Sequence, residues 1–308
     1  MTAEDWLAAF YWHAPVLFDP FNYFFFRFGQ PRHLAALALT AALPPEASVL
    51  DLACGYGHVL HSLTAGGRAA VGVEQNVHQA WLARHYVAPG AAFVCADADA
   101  PLPFATGATD AFHYLDGKAA ALSEMRRCAR GPVLLATVGN DRVPPREGNE
   151  WGPEAYAELF EGAAWRVRTE ADLLARYLGG LAADLSGSSP EADVEGEKWL
   201  SYVVAEDEAL FRDHGPLGRW PHLAGAEALN PLYERRRGRL RLRFPSPWFA
   251  TENRGMREYM PDEVAPDASA DELRARAVYV GLPERYARAS GRPLTLRLNR
   301  AAGRLRSA

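Results

Sequence analysis

Ser48-Val-Leu-Asp-Leu-Ala-Cys-Gly-Tyr-Gly57, continued by His58-Val-Leu-His-Ser-Leu63, decides how the chain is read. A short apolar run closed by Gly-x-Gly reads as a parallel strand handing over to a helix N-terminus through a turn with little side-chain bulk. Gly55 and Gly57 permit backbone conformations that a side chain disfavours and let a ligand approach the chain closely. The unpaired amides at the start of the next helix face whatever carboxylate or phosphate sits there. The segment therefore reads as a nucleotide-type ligand site.

Two ligands compete for that reading. A dinucleotide fingerprint carries a third small residue three positions after its second glycine, where strand and helix pack closely. Here that position is Leu60, which is large, and Asp51 before the loop suits a cationic amine better than a pyrophosphate. Asp51-Leu-Ala-Cys-Gly-Tyr-Gly57 resembles motif I of the class I S-adenosylmethionine-dependent methyltransferases, with Ala53 in place of the first glycine. The resemblance assigns Asp51, Ala53, Cys54, Gly55, Tyr56 and Gly57 to the cofactor.

Arg68 to Glu74 forms a second apolar strand ending in an acid, 17 positions beyond Gly57. An acid there can accept both ribose hydroxyls, so Glu74, flanked by Gln75, points to a nucleoside without choosing between the two cofactors. Ala92 to Asp99 is a third strand running into acids, followed by Pro101-Leu-Pro-Phe104. This resembles the Gly-Asp-Ala-Glu-x-Leu-Pro-Phe segment of small-molecule methyltransferases. The resemblance implies that Asp97 receives the adenine amino group, with Ala98 and Asp99 beside it. Asp110 to Leu115 matches motif IV in placement, and Asp110 joins the cofactor set. A helix from Ser123 and a strand Val133 to Val138 follow, then strands at Ala164–Thr169 and Trp199–Ala205.

The implied fold is α/β: a doubly wound, seven-stranded Rossmann-like methyltransferase sheet. It carries an N-terminal helical cap, aromatic in composition, over residues 1–45, a cofactor-binding core over 46–211 and a basic C-terminal α+β accessory lobe over 212–308. The lobe is read as a β-hairpin, Leu229–Tyr233 with Leu240–Phe244, followed by a helix from Asp271 to Tyr279.

The 308 residues carry a net charge of −5, unevenly spread. Residues 1–211 hold 14 Lys+Arg against 27 Asp+Glu, and residues 212–308 hold 19 against 11, so balances of −13 and +8 recover −5. That asymmetry suggests either a surface for anionic partners or a basic tail packed on an acidic core. No eighteen-residue apolar run and no basic leader are present, and Cys54, Cys95 and Cys128 show no paired spacing. A reduced cytoplasmic protein without a membrane span, disulfides or a metal site is expected. His58 and His61, one helical turn apart, are read as a solvated helix face.

Methyl transfer to oxygen or nitrogen can require a base, and His113 is the candidate, with Tyr114 and Asp116 as alternatives. Asn22, Tyr23 and Asn140 are candidate acceptor contacts. The expected activity is S-adenosylmethionine-dependent methylation of a small molecule such as a secondary metabolite or a sugar. The alternatives are a nucleic-acid or protein methyltransferase using the arginine-rich lobe, and a non-catalytic cofactor-binding scaffold. Asn230-Pro-Leu-Tyr233 is similar to the Asn/Asp-Pro-Pro-Tyr loop of adenine amino-methyltransferases, but it lies some 120 residues past the fourth strand and is read as hairpin. The oligomeric state is left open, a homodimer included.

Overall fold

The computed structural model describes residues 20–97, 108–109, 112, 115–129, 131–146 and 148–286. Its spine is a sheet of β1 (Val49–Leu52), β2 (Ala70–Val73), β3 (Ala92–Val94), β4 (Ala108–Thr109), β5 (Val133–Gly139), β6 (Ala164–Thr169) and β7 (Trp199–Ala205). The spatial order is β3-β2-β1-β4-β5-β7-β6, with β7 antiparallel to both neighbours and the other pairings parallel. The order reverses between β1 and β4, and the crevice beyond the carboxyl ends of the strands there is where such sheets hold ligands.

Alternation along the strands feeds two apolar layers. Leu134, Ala136 and Val203 face one, while Val133, Leu135, Val138, Tyr202 and Val204 face the other. Strands covered on both faces read as unbroken apolar runs, as β5 does. In the first layer α1 (Pro20–Phe26) and α2 (Pro31–Thr40) lie with α3 (His58–Ala65). α2 packs on β5 and on α4 (Glu170–Leu178).

The same layer takes in the C-terminal residues Leu232, Phe249, Met256, Val280 and Tyr286 together with Phe24, Phe25, Phe26 and Phe28. The hydroxyl of Tyr259 donates to Gly29 O at 2.7 Å, and that of Tyr286 donates to Phe25 O. Residues from all three sequence segments thus share one apolar layer.

The C-terminal hairpin differs in register from its sequence reading. Its strands are Tyr233–Arg236 and Arg239–Leu242, joined by Arg237 (φ 47°) and Gly238 (φ 80°). Two consecutive positive-φ residues match the right-handed twist of a tight hairpin, which sets the turn there. Leu229 instead ends a strand, Ala226–Leu229, that pairs antiparallel with Tyr279–Leu282. The expected helix from Asp271 accordingly stops early, at Ala270–Ala275. No helix among the described residues is long and apolar enough to cross a membrane.

His58 and His61 are buried, at 3% and 6% exposure, which corrects the solvated-face reading. α2 and the turn Pro221–Leu223 both pack on α3, so little of that helix meets water. The ring of Phe28 stands edge-on to His33, His58 and His61, with centroids 5.8, 4.8 and 5.6 Å away. His58 Nε2 lies 3.0 Å from Phe24 O, and His222 Nδ1 lies 3.0 Å from the Tyr177 hydroxyl. Neither ring nitrogen of His33 has a hydrogen-bond partner among the described residues.

Burial holds these rings neutral: it lowers His58 to about 3 and His61 and His222 to about 4, and His33 lies well below the usual range. The Arg27 charge pushes His33 and His58 the same way. The unfolded chain protonates its histidines near pH 6.5, so below that pH it binds more protons than the folded chain. The stability from neutral burial is complete above about pH 6.5 and is lost as pH falls toward 4, by about 2 kcal/mol per ring at pH 5. Urea midpoints should therefore fall between pH 7.5 and pH 5, and by less in His33→Met, whose side chain cannot protonate. Equal falls in the two proteins would remove His33 from this account.

Candidate active site

Beyond Leu52 the backbone turns through Ala53 (φ 54°), Gly55 (φ 54°) and Gly57 (φ 74°) before α3 begins at His58. The amide of Cys54 donates to Val73 O at 3.0 Å, and that of Gly57 donates to Cys54 O at 2.9 Å. Glycine serves twice in this loop. A Cβ at Gly55 would meet the Tyr23 ring and hydroxyl at 3.4 Å, and one at Gly57 would meet Phe93 at 3.2 Å. Ala53 carries a side chain in the left-handed region, a conformation costing about 1–2 kcal/mol for an L-residue.

Glu74, one residue past β2, closes the loop from below. Its Oε2 accepts the Gly55 amide at 2.9 Å, and its Oε1 accepts the Asn76 amide at 2.8 Å. Asn76 then caps the following helix, Val77–Leu82, its Oδ1 accepting from His78 and Gln79. The carboxylate is only 6% exposed; burial raises its pKa, and the amide bonds of Asn76 and Gly55 oppose the rise. An ionised carboxylate has about four acceptor positions, so beside the Asn76, Gly55 and Gln75 amides acceptor capacity remains for a ligand. Burial, reinforced by Asp51 and Glu74, pushes the Cys54 thiol up and keeps it neutral. Asp51, Cys54, Gly55 and Glu74 therefore share one electrostatic neighbourhood at the switch point.

Tyr23 covers this loop from α1. Its ring lies 5.6 Å from that of the fully buried Tyr56, and the Arg27 guanidinium stands over it, 5.1 Å from the ring centroid. Asn22 is the half-buried residue before it, and Gln75 is exposed beside Glu74. Asp97 is exposed three residues past the end of β3. Ala98, Asp99, Asp110, His113 and Tyr114 lie outside the described residues. Asp116 is exposed, with its Oδ1 3.4 Å from Asn149 Nδ2.

Asn140 has a different occupation from the one expected of it. It is fully buried, its amide donates to Val194 O and Glu197 O at 3.1 and 3.0 Å, and its Oδ1 accepts the Arg142 amide at 3.1 Å. Those bonds tie the loop after β5 to the one before β7. The sequence reading also missed a buried pair at this edge. Lys198 Nζ meets Glu150 Oε2 at 2.6 Å, and the Glu150 carboxylate presses on Gly139, where a Cβ would collide with it. Lys118, also buried, donates to Leu115 O at 2.8 Å and lies 5.0 Å from the Trp151 ring. These partners are 48 residues apart in one case and follow no motif, so no local pattern marks them.

Residues 50–135 match a family model described as a methyltransferase domain. No curated protein matches the chain. Among solved structures, the TehB-like SAM-dependent methyltransferase of Corynebacterium glutamicum is 19% identical over 57% of this chain and 88% of its own, with a TM-score of 0.43. A SAM-dependent methyltransferase of Geobacter sulfurreducens, in complex with S-adenosyl-L-homocysteine, is 18% identical over 58% and 93%, at 0.39. Magnesium protoporphyrin IX methyltransferase of Synechocystis, with bound SAM, is 15% identical over 66% and 91%, at 0.40.

Two substitutions test the loop. Glu74→Gln places an amide NH2 against one of the two backbone donors and should destabilise the fold by about 1–3 kcal/mol in chemical denaturation. An unchanged midpoint would mean the clasp carries no energy. Ala53→Gly should stabilise by about 0.5–1 kcal/mol, because relief of the left-handed strain outweighs the added freedom of the unfolded chain. A lower midpoint in that variant would refute the strain.

Proposed function

We propose that this chain, whose residues 50–135 match a methyltransferase-domain model, is a class I S-adenosylmethionine-dependent methyltransferase that delivers the methyl group to a small-molecule acceptor. The observation that carries the reading is the Gly55 loop clasped by Glu74 and overhung by the Tyr23 hydroxyl. Bound there, the cofactor supplies an electrophilic methyl on a sulfonium. The chain supplies alignment and exclusion of water.

In this reading the free lone pairs of Glu74 accept the ribose hydroxyls, with Gln75 at the rim. Asp51 faces the amino group of the methionine moiety, and the turn Gly55–Gly57 lies against its carboxylate. Ala53 and Cys54 keep the turn narrow. Asp97 takes the adenine amino group, with Ala98 beside it, and Asp110 completes the wall. Tyr23 and Asn22 stand on the acceptor side. His113 accepts the acceptor's proton, with Tyr114 and Asp116 as the other carriers of that role. We read residues 46–211 as the doubly wound core, residues 1–45 as its cap and residues 212–308 as an accessory lobe.

The hairpin arginines are the feature that a nucleic-acid acceptor would use. Arg239 and Arg241 share Glu263, and Arg236 and Arg243 share Glu234, so two carboxylates offset two of the six positive charges at positions 235, 236, 237, 239, 241 and 243. Phosphate recognition depends on cations available to displace counterions.

Incubation with methyl-labelled cofactor and a fractionated cell extract should move label into a low-molecular-weight product. Label in RNA or protein fractions alone would overturn the small-molecule assignment. Asp97→Ala should weaken cofactor binding in calorimetry by about 1–3 kcal/mol. His113→Ala should abolish the acidic limb of the pH–rate profile, and an unchanged profile would dismiss it as base.

A further inference from the structure

A cavity bounded by described residues lies at the edge of the sheet opposite the glycine loop. It is an open groove of about 1090 Å³, and a smaller hollow of about 260 Å³ adjoins it. Its floor is formed where strands begin: Pro132 and Val133 enter β5, Ala163 precedes β6, and Arg68 precedes β2. The antiparallel β7 ends there, at Val204 and Ala205. One wall is apolar, from Ala41 to Pro45, and the other is formed by Leu210, Pro216 and Leu217.

The groove's charge is unbalanced. It is lined by Arg68, Arg126, Arg212, Arg219 and His214 against Glu206 and Asp207. Arg126 makes a loose 3.9 Å pair with Glu206. Arg68 donates only to the carbonyls of Pro44 and Leu43, at 2.8 and 3.0 Å, and Arg219 only to Leu223 O at 2.7 Å. Carbonyl bonds orient a guanidinium without cancelling its charge. Neither Arg212 nor Arg219 forms an ion pair with a carboxylate among the described residues, unlike Arg239, Arg241 and Arg243 of the hairpin, while the charge of Glu46 acts on Arg68 without a direct ion pair.

We propose that this groove is a second binding site, for a small organic anion whose phosphate or carboxylate meets Arg212 and Arg219 while an apolar body lies along the Ala41–Pro45 wall. Guanidinium forks match both anions in planar, two-point fashion. The volume is that of an ordinary ligand pocket. The glycine loop lies beyond the other ends of the strands, so occupancy here leaves the cofactor seat open.

Calorimetry on the full chain with hexyl phosphate, laurate and inorganic pyrophosphate tests this. The wild type should bind one of the two amphiphiles more tightly than pyrophosphate, and which one binds distinguishes phosphate from carboxylate. Arg212→Ala/Arg219→Ala should weaken that binding by about tenfold, the scale of a lost charged hydrogen bond. The same double variant should keep wild-type affinity for S-adenosyl-L-homocysteine, which also shows that it is folded. Saturating S-adenosyl-L-homocysteine should leave amphiphile binding to the wild type intact. Equal amphiphile affinity in wild type and double variant would overturn the proposal, as would absence of binding by both amphiphiles. Competition with S-adenosyl-L-homocysteine would overturn it too, by moving the anion to the glycine loop.

Discussion

The Glu74 carboxylate, accepting the amides of Gly55 and Asn76 at once, is the contact on which the site depends. It arises from sheet register. Leu52 pairs with Val73, so the residue after β2 emerges beneath the turn that leaves β1. Burial makes each of its hydrogen bonds stronger and makes the loss of either more costly. The loop then needs residues that fold back over a carboxylate without side-chain collision, and Gly55 and Gly57 supply them. Asn76 continues the chain of support by capping the next helix, so one acid couples a strand end, a turn and a helix start.

Local pattern made that half of the molecule legible. Apolar runs, glycines and an acid at crossover distance are all read within some thirty residues, and the structure sets Asp51, Cys54, Gly55 and Glu74 together at the switch point. What escaped the sequence depends on distant partners. His58 and His61 have the spacing of a polar helix face, yet the segment that covers α3 includes Pro221–Leu223, some 160 residues away. Leu229 resembles a hairpin residue until its partner, Tyr279, is known. Asn140 is of a residue type that often touches ligands, but Val194, Glu197 and Arg142 use its whole side chain.

The basic C-terminal segment resolves in the same terms. Its charge excess suggested an anionic partner, and Glu234 and Glu263 offset two of the hairpin's six arginine charges. Its apolar residues share a layer with the phenylalanines that precede the core. Tyr259 and Tyr286 fasten it to the carbonyls of Gly29 and Phe25, next to the helix that carries Tyr23. The segment thus braces the cover of the glycine loop from behind, a role that its charge gave no hint of.

The two edges of the sheet differ in what they offer an anion. At the carboxyl edge the crossover helices begin, and backbone amides can meet negative charge without any cationic side chain. At the amino edge helices end in carbonyls, which repel an anion and attract cations. Arg126 in the last turn of its helix, Lys118–Cys128, and Arg68 bonded to the carbonyls beyond α2 fit that local demand. Carbonyls carry only partial charges, so guanidiniums drawn to them retain a net positive field. Arg212 and Arg219 add to it from the C-terminal segment. An anion at this edge therefore depends on arginine side chains, whereas one at the glycine loop depends on backbone.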